Sequence, residues 1–128
     1  MSISFMPYIY DSARALWVYP DKVREDVDSF ELNLSNANAL DIIEAIGLDP
    51  ESSGIVAIDR FSDMLAATVR KHLDARSPAI PPMVDSEPGR VTMHYPGRRG
   101  GYIESRLGDL ARLVQRARAV NASHIGWG

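Results

Sequence analysis

Phe30-Glu31-Leu32-Asn33-Leu34-Ser35-Asn36-Ala37-Asn38-Ala39-Leu40 is the stretch that decides the fold class. Phe30, Leu32 and Leu34 alternate with Glu31, Asn33 and Ser35, the period of two expected of a strand with one buried face. The period then changes. Ser35 offers a hydroxyl to cap a helix, and Ala39, Ile42, Ile43 and Ile46 follow at helical spacing until Gly47, with Asp49-Pro50 as a stop. A strand and a helix that each bury one face need a common core between layers, which points to an α+β domain.

Upstream, Ile3 to Tyr10 is rich in aromatic and branched residues and predicts a strand, but Pro7 cannot donate to a ladder, so this strand is expected at a sheet edge. Ala15-Leu-Trp-Val-Tyr19, bounded by Asp11-Ser12 and Pro20-Asp21, predicts its hairpin partner, with a short helical turn as the alternative. Downstream, Ile58, Phe61, Leu65, Thr68, Val69 and His72 share one face of a helix over 57–73, while Asp63, Ala67 and Arg70 face away. The segment 75–101 holds too many prolines and glycines for regular structure, apart from a short strand around Val91 to Tyr95. A third helix carries Ile103, Leu107, Leu110, Val114 and Ala117 along one stripe and ends near Asn121. The segment His124-Ile-Gly-Trp-Gly128 is expected to return to the sheet and bury Ile125 or Trp127. The fold expected is one α+β domain over 1–128, a small, mostly antiparallel sheet with three helices packed on one face.

Composition narrows the chemistry. The chain has 128 residues, of which 45% are hydrophobic and 24% charged, enough apolar surface to support one core. With no cysteine there is no disulfide, thiolate metal site or cysteine nucleophile, which also suits a reducing compartment. The N-terminal residues lack the basic region and apolar run of a signal peptide, and no stretch approaches the ~20 apolar residues of a membrane span. A cytoplasmic protein with no membrane association is expected. The net charge of −3 divides unevenly, residues 1–50 carrying 3 basic and 9 acidic side chains and residues 51–128 carrying 11 and 8. Opposite-sign halves of a small domain commonly neutralise each other across its surface. A nucleic-acid role would need Arg98, Arg99, Arg112 and Arg116 to form one basic face; no recognised nucleic-acid module supports that, and the sequence argues against it.

Two clusters could hold an anionic ligand. The strand-to-helix junction brings Ser35, Asn36 and Asn38 to a helix start, where free N–H groups attract anions; the plainer alternative is that Ser35 caps the helix and the amides satisfy neighbouring backbone. The segment Pro96-Gly-Arg-Arg-Gly-Gly-Tyr102 sets Arg98 and Arg99 just before another helix start that opens near Tyr102, suited to a phosphate or carboxylate, although it lacks the P-loop pattern and the solvated turn is the favoured reading. Arg106 lies at the margin of its apolar stripe and is expected to pair with a carboxylate. His72, His94 and His124 show no metal-ligand spacing, so no metal or cofactor is implied; His72 reads as a core residue and His94 as the histidine to test as an acid or base. There is no Gly-x-Ser-x-Gly elbow and no close carboxylate couple.

The strand-Asn-x-Ser-Asn-Ala-Asn-Ala-helix-Gly-Leu run, the later Tyr102-x4-Leu107-x2-Leu110 helix and the Trp127-Gly128 ending together resemble a group of small bacterial proteins of unassigned function. The resemblance covers Phe30 to Leu48 and Tyr102 to Gly128; it implies a bacterial origin and brings no activity. The functional expectation is therefore a non-enzymatic binding or protein-interaction module, motivated by the missing catalytic constellation, the aromatic N-terminal strand and the opposed charges of the two halves. An exposed edge strand could pair two copies into a homodimer. The rival expectation is a small-molecule binder or enzyme in which Ser35, Asn36, Asn38, Arg98, Arg99 and Tyr102 converge on an anionic ligand.

Overall fold

The first strand, β1 (Ser2–Asp11), turns back through a hairpin into β2 (Leu16–Val18), with Tyr10 opposite Trp17 and Asp11 opposite Leu16. Asp11 anchors the turn, its carboxylate accepting the N–H groups of Ala13 and Arg14. The computed structural model describes residues 2–51, 53–71, 83–85, 93–95 and 101–128. A short helix, α1 (Asp21–Glu25), and a 3-10 turn at Val27–Phe30 lead into β3 (Leu32–Ser35), which pairs antiparallel with β1. Phe30 thus closes the 3-10 turn and does not begin the strand that its alternation predicts.

The helix α2 (Asn36–Ala45) follows without a linker, and the Ser35 hydroxyl accepts the Asn38 N–H. It ends as the sequence predicts. Gly47 takes φ 93°, and the Gly47 and Leu48 N–H groups donate to the Glu44 and Ile43 carbonyls, the paired bonds of a left-handed helix stop. Then β4 (Gly54–Ala57) runs straight into α3 (Ile58–Lys71). Beyond a two-stranded antiparallel pair, β5 (Met83–Asp85) with β6 (Met93–Tyr95), comes α4 (Tyr102–Ala119). It stops at Asn121, in the left-handed region at φ 59°, with Asn121 and Ala122 bonding back to Arg118 and Ala117. The chain then returns as β7 (His124–Trp127).

The main sheet runs β2-β1-β7-β4, with β3 on the same flank of β1 as β2. β1 is therefore central, and the edge position expected from Pro7 is not what forms. The physical reason lies in which way its backbone points. Ser4 exchanges both backbone bonds with Gly128, and Tyr8 accepts from Ser123, so alternation turns the backbone of Phe5, Pro7 and Ile9 to the opposite flank. On that flank β3 pairs residues 2–5 and β2 pairs residues 9–11. Pro7 falls in the gap between them, where its missing N–H removes no ladder bond.

Alternation also sorts the side chains. Ile3, Phe5, Leu34, Ile125 and Trp127 turn to one face and pack with Ile42 and Ile43 of α2, Ile58, Phe61 and Leu65 of α3, and Leu107, Leu110 and Val114 of α4 in one core cluster. Burying a side chain of this kind contributes about 1.5–3 kcal/mol, so this shared layer holds the three longer helices to the sheet. Both Ile125 and Trp127 are buried. Thr68, the buried polar residue of α3, donates to the Met64 and Ala45 carbonyls, the second bond tying α3 to α2. Val69 departs from its expected place in the stripe and is exposed. His72 lies outside the described residues.

Candidate interaction surface

The face of the sheet turned away from α2, α3 and α4 is built by the other half of the alternation; Met6 at its middle is buried, so the exposed part lies toward the β1–β2 end. Cross-strand partners share a face, so Ser4, Met6, Tyr8 and Tyr10 of β1 stand beside Asn33 of β3, Trp17 of β2, and His124 and Gly126 of β7, with Ile55 and Ala57 of β4 beyond. None of these outward positions carries a carboxylate, ammonium or guanidinium.

Aromatic rings gather at the β1–β2 end. Tyr10 meets Trp17 edge-on with ring centroids 5.1 Å apart, and Trp17 in turn lies 4.3 Å from the His124 ring. Tyr8 contacts Tyr19 at 5.1 Å. Tyr8 needs the space that Gly126 leaves open: a Cβ at Gly126 would sit 2.6 Å from the Tyr8 ring. Half-burial, reinforced by a hydrogen bond with Tyr19, pushes the Tyr8 hydroxyl up to about 12, so it stays protonated, its proton engaged by Tyr19. The His124 ring is oriented by its Nδ1, 2.8 Å from the Ser123 hydroxyl. Trp17 and Tyr10 nevertheless remain 38% and 51% exposed on this face, while Leu16, which alternation turns to the other face of the hairpin, is 44% exposed. Among the described residues, three of the five exposed large hydrophobic residues lie on this one hairpin, the others being Val27 and Val69. A single exposed apolar side chain is ordinary, whereas a contiguous group of them marks a contact surface.

The residues singled out for an anionic ligand occupy two helix starts. Ser35 caps α2, its hydroxyl 3.4 Å from the Asn38 nitrogen, while Asn36 is the first residue of α2. Asn33 is engaged elsewhere: its amide donates to the Ser2 and Ser4 hydroxyls at 3.0 and 2.8 Å and so ties β3 to β1. Tyr102 opens α4, and the Arg106 guanidinium lies over its ring, 5.1 Å from the centroid. Arg98 and Arg99 lie outside the described residues. Arg106 pairs with Asp109 at 2.7 Å, the carboxylate partner expected of it, and Arg112 joins the same Asp109. Arg116 donates to the Ser29 carbonyl at 2.8 Å. Among the described residues no group of three or more His, Asp or Glu side chains could hold a metal ion, and no helix is long and apolar enough to cross a membrane.

A second concavity runs between α3 and α4, an open groove of about 430 Å³ lined by Leu65, Ala66, Val69, Ala111 and Val114 with Arg70 and Arg118 at its rim. It presents no aromatic side chain. The aromatic surface had a sequence signal, since Tyr8 and Tyr10, and likewise Trp17 and Tyr19, are two residues apart and must share a face of their strands. Joining His124 to that group depends on β7 pairing with β1, which no local pattern reveals. No protein-family model, curated protein or solved structure matches the chain.

Proposed function

We propose that the protein is a non-enzymatic interaction module that binds a protein partner through the outer face of its β1–β2 hairpin. The observation that carries this reading is the exposure of Tyr10 and Trp17, in contact with each other and beside Tyr8, Tyr19 and His124. Tyrosine and tryptophan supply large contact areas with few rotatable bonds, and their hydroxyl and indole groups satisfy hydrogen bonds at the rim of an interface. The lack of charged side chains on the outward strand positions favours the same use. Interface centres are depleted in charge, while a nucleic-acid surface requires cations to meet phosphates. Trp17 has the character of an anchor: a rigid ring, held at one side by Tyr10 and at the other by His124, with its remaining surface open.

The test is affinity capture from an extract of the source cells on immobilised wild-type protein and on folded Trp17→Ala and Tyr10→Ala variants, followed by affinity measurement with the captured protein. Removing a central aromatic anchor weakens binding by roughly thirtyfold or more. A partner held by the wild type and lost from both variants supports the reading. A partner bound equally by all three places the contact surface elsewhere and overturns it.

A further inference from the structure

We infer that the partner includes a second copy of this chain, joined edge to edge through β2 about a two-fold axis at Trp17. The inference rests on the interaction reading above and goes further, because it fixes the occupant and the register.

The argument starts from the direction of the β2 backbone. Ser4 and Tyr8 aim their backbone groups at β7, so the alternate residues Ile9 and Asp11 aim theirs at β2. Ile9 pairs with Val18 and Asp11 with Leu16, which makes these the hydrogen-bonded pairs of the hairpin and Tyr10–Trp17 the non-hydrogen-bonded pair. The Trp17 N–H and carbonyl therefore point away from β1. Among the described residues β2 pairs with β1 alone and ends the sheet on that side, so these two groups lie along its outer edge. Edge strands are ordinarily guarded by a lysine, a proline or a bulge. Leu16-Trp17-Val18 carries none of these; its three-residue length is its one safeguard, which limits the strength of any pairing, and Leu16 and Trp17 are both exposed.

A three-residue edge has a natural symmetric pairing. Antiparallel approach of two copies about Trp17 lets the two Trp17 residues exchange a pair of N–H to carbonyl bonds, and places Leu16 of each copy opposite Val18 of the other. No charge meets its own twin at these three positions. The same register carries Arg14, which pairs with Asp11 in its own copy and keeps its side chain 70% exposed, toward Asp21 of the other copy, which pairs with Arg24 there and is 83% exposed. Symmetry makes this contact twice, and its charges are opposite. An edge this short buries less than the ~800 Å² per partner of a standard stable interface, so the dimer belongs to the readily dissociating class and forms with rising concentration.

The absence of native cysteine makes the register directly testable. In the proposed pairing Leu16 and the other copy's Val18 form a non-hydrogen-bonded pair with Cα atoms ~4.5 Å apart, inside disulfide range. Two Leu16 residues sit diagonally at ~7–8 Å, as do two Val18 residues, outside or at the limit of that range. Full-length Leu16→Cys and Val18→Cys proteins, oxidised separately and as a mixture, are expected to cross-link selectively in the mixture. Sedimentation across a concentration series is expected to show a monomer–dimer equilibrium for the wild type, and a dissociation constant raised at least about thirtyfold by Trp17→Lys, which sets like charges together on the axis. A wild type that stays monomeric at every concentration overturns the self-association inference and leaves the aromatic surface to be judged by the capture experiment. A dimer whose mixed variants cross-link no better than each alone has a different register and overturns it as well. This second arm stands even if Trp17→Lys does not fold.

Discussion

Gly54 sits opposite Trp127 across β4 and β7, and the indole packs closely against it. A Cβ on residue 54 would come within 2.4 Å of the Trp127 ring, closer than any real contact, and the ring has little room to retreat because Trp127 is only 7% exposed. The indole N–H also donates to the Glu51 carbonyl, at 3.3 Å. Elsewhere in a strand, glycine to alanine would stabilise by about 0.5–1 kcal/mol through reduced backbone entropy. Here Gly54→Ala forces the ring out of place, an overpacking cost of about 1–3 kcal/mol, and adds about 1 kcal/mol if the indole hydrogen bond breaks. The balance is a net loss of about 1–3 kcal/mol, or a fall in Tm of roughly 4–10 °C for a domain of this size. Urea denaturation of wild type, Gly54→Ala, Trp127→Phe and the double variant measures it. Phenylalanine lacks the indole carbons nearest Gly54, so the alanine should cost at least ~1 kcal/mol less in the Trp127→Phe background. Additive effects of the two substitutions, or a Gly54→Ala variant as stable as the wild type, would refute this account of why residue 54 is glycine.

Three further outcomes follow from the geometry. Tyr8 is raised from 10 to about 12, so the folded state holds the phenolic proton more tightly; this contribution is complete below pH 10 and is lost as pH rises to about 12. Spectrophotometric titration should show one late tyrosine, absent in Tyr8→Phe, whose stability should fall less steeply over that interval. Ser35→Ala removes the side-chain cap of α2 and should lower stability by about 0.5–1 kcal/mol in chemical denaturation, the lower part of the usual capping range because the bond to Asn38 is long at 3.4 Å. Thr68→Val keeps the shape but removes the donor that joins the Met64 and Ala45 carbonyls, and should cost about 1 kcal/mol, with faster amide exchange at the α2–α3 contact.

Much of this architecture is local and was therefore legible. The Leu32–Ser35 strand, the Ser35 cap, the Gly47 stop and the stripe of the Tyr102 to Ala119 helix each depend on residues within a few positions of one another. What the sequence concealed is non-local. Pro7 obeys the rule that proline avoids ladder bonds, but the rule is satisfied by a gap between two neighbouring strands, not by an edge. The strand at Gly54–Ala57 gave no expectation: it is four residues long, merges into a helix and pairs with a segment some seventy residues later. Val69 fits the apolar stripe of its helix but borders the open groove toward Ala111 and Val114. For the candidate surface, the paired spacing of Tyr8, Tyr10, Trp17 and Tyr19 was visible, whereas the contact of Trp17 with His124 spans nearly the whole chain.

The adjacency of β1 and β7 bears on how the molecule comes into being. Phe5 stands opposite Trp127 at the middle of the sheet, so β1 has one whole flank vacant until β7, synthesised well over a hundred residues later, has left the ribosome. The β1–β2 hairpin and the β3–α2 unit can assemble early from near neighbours, yet β4 cannot join the sheet at all, because β7 is its link to the rest. Closing contacts of such long sequence separation slows folding, and during that wait the nascent chain presents Phe5 and its unpaired backbone to other chains. β7, which follows every other strand of this sheet in the chain, thus works as the latch of the fold, and damage there should reduce the yield of folded protein in cells more than the lost equilibrium stability alone would explain.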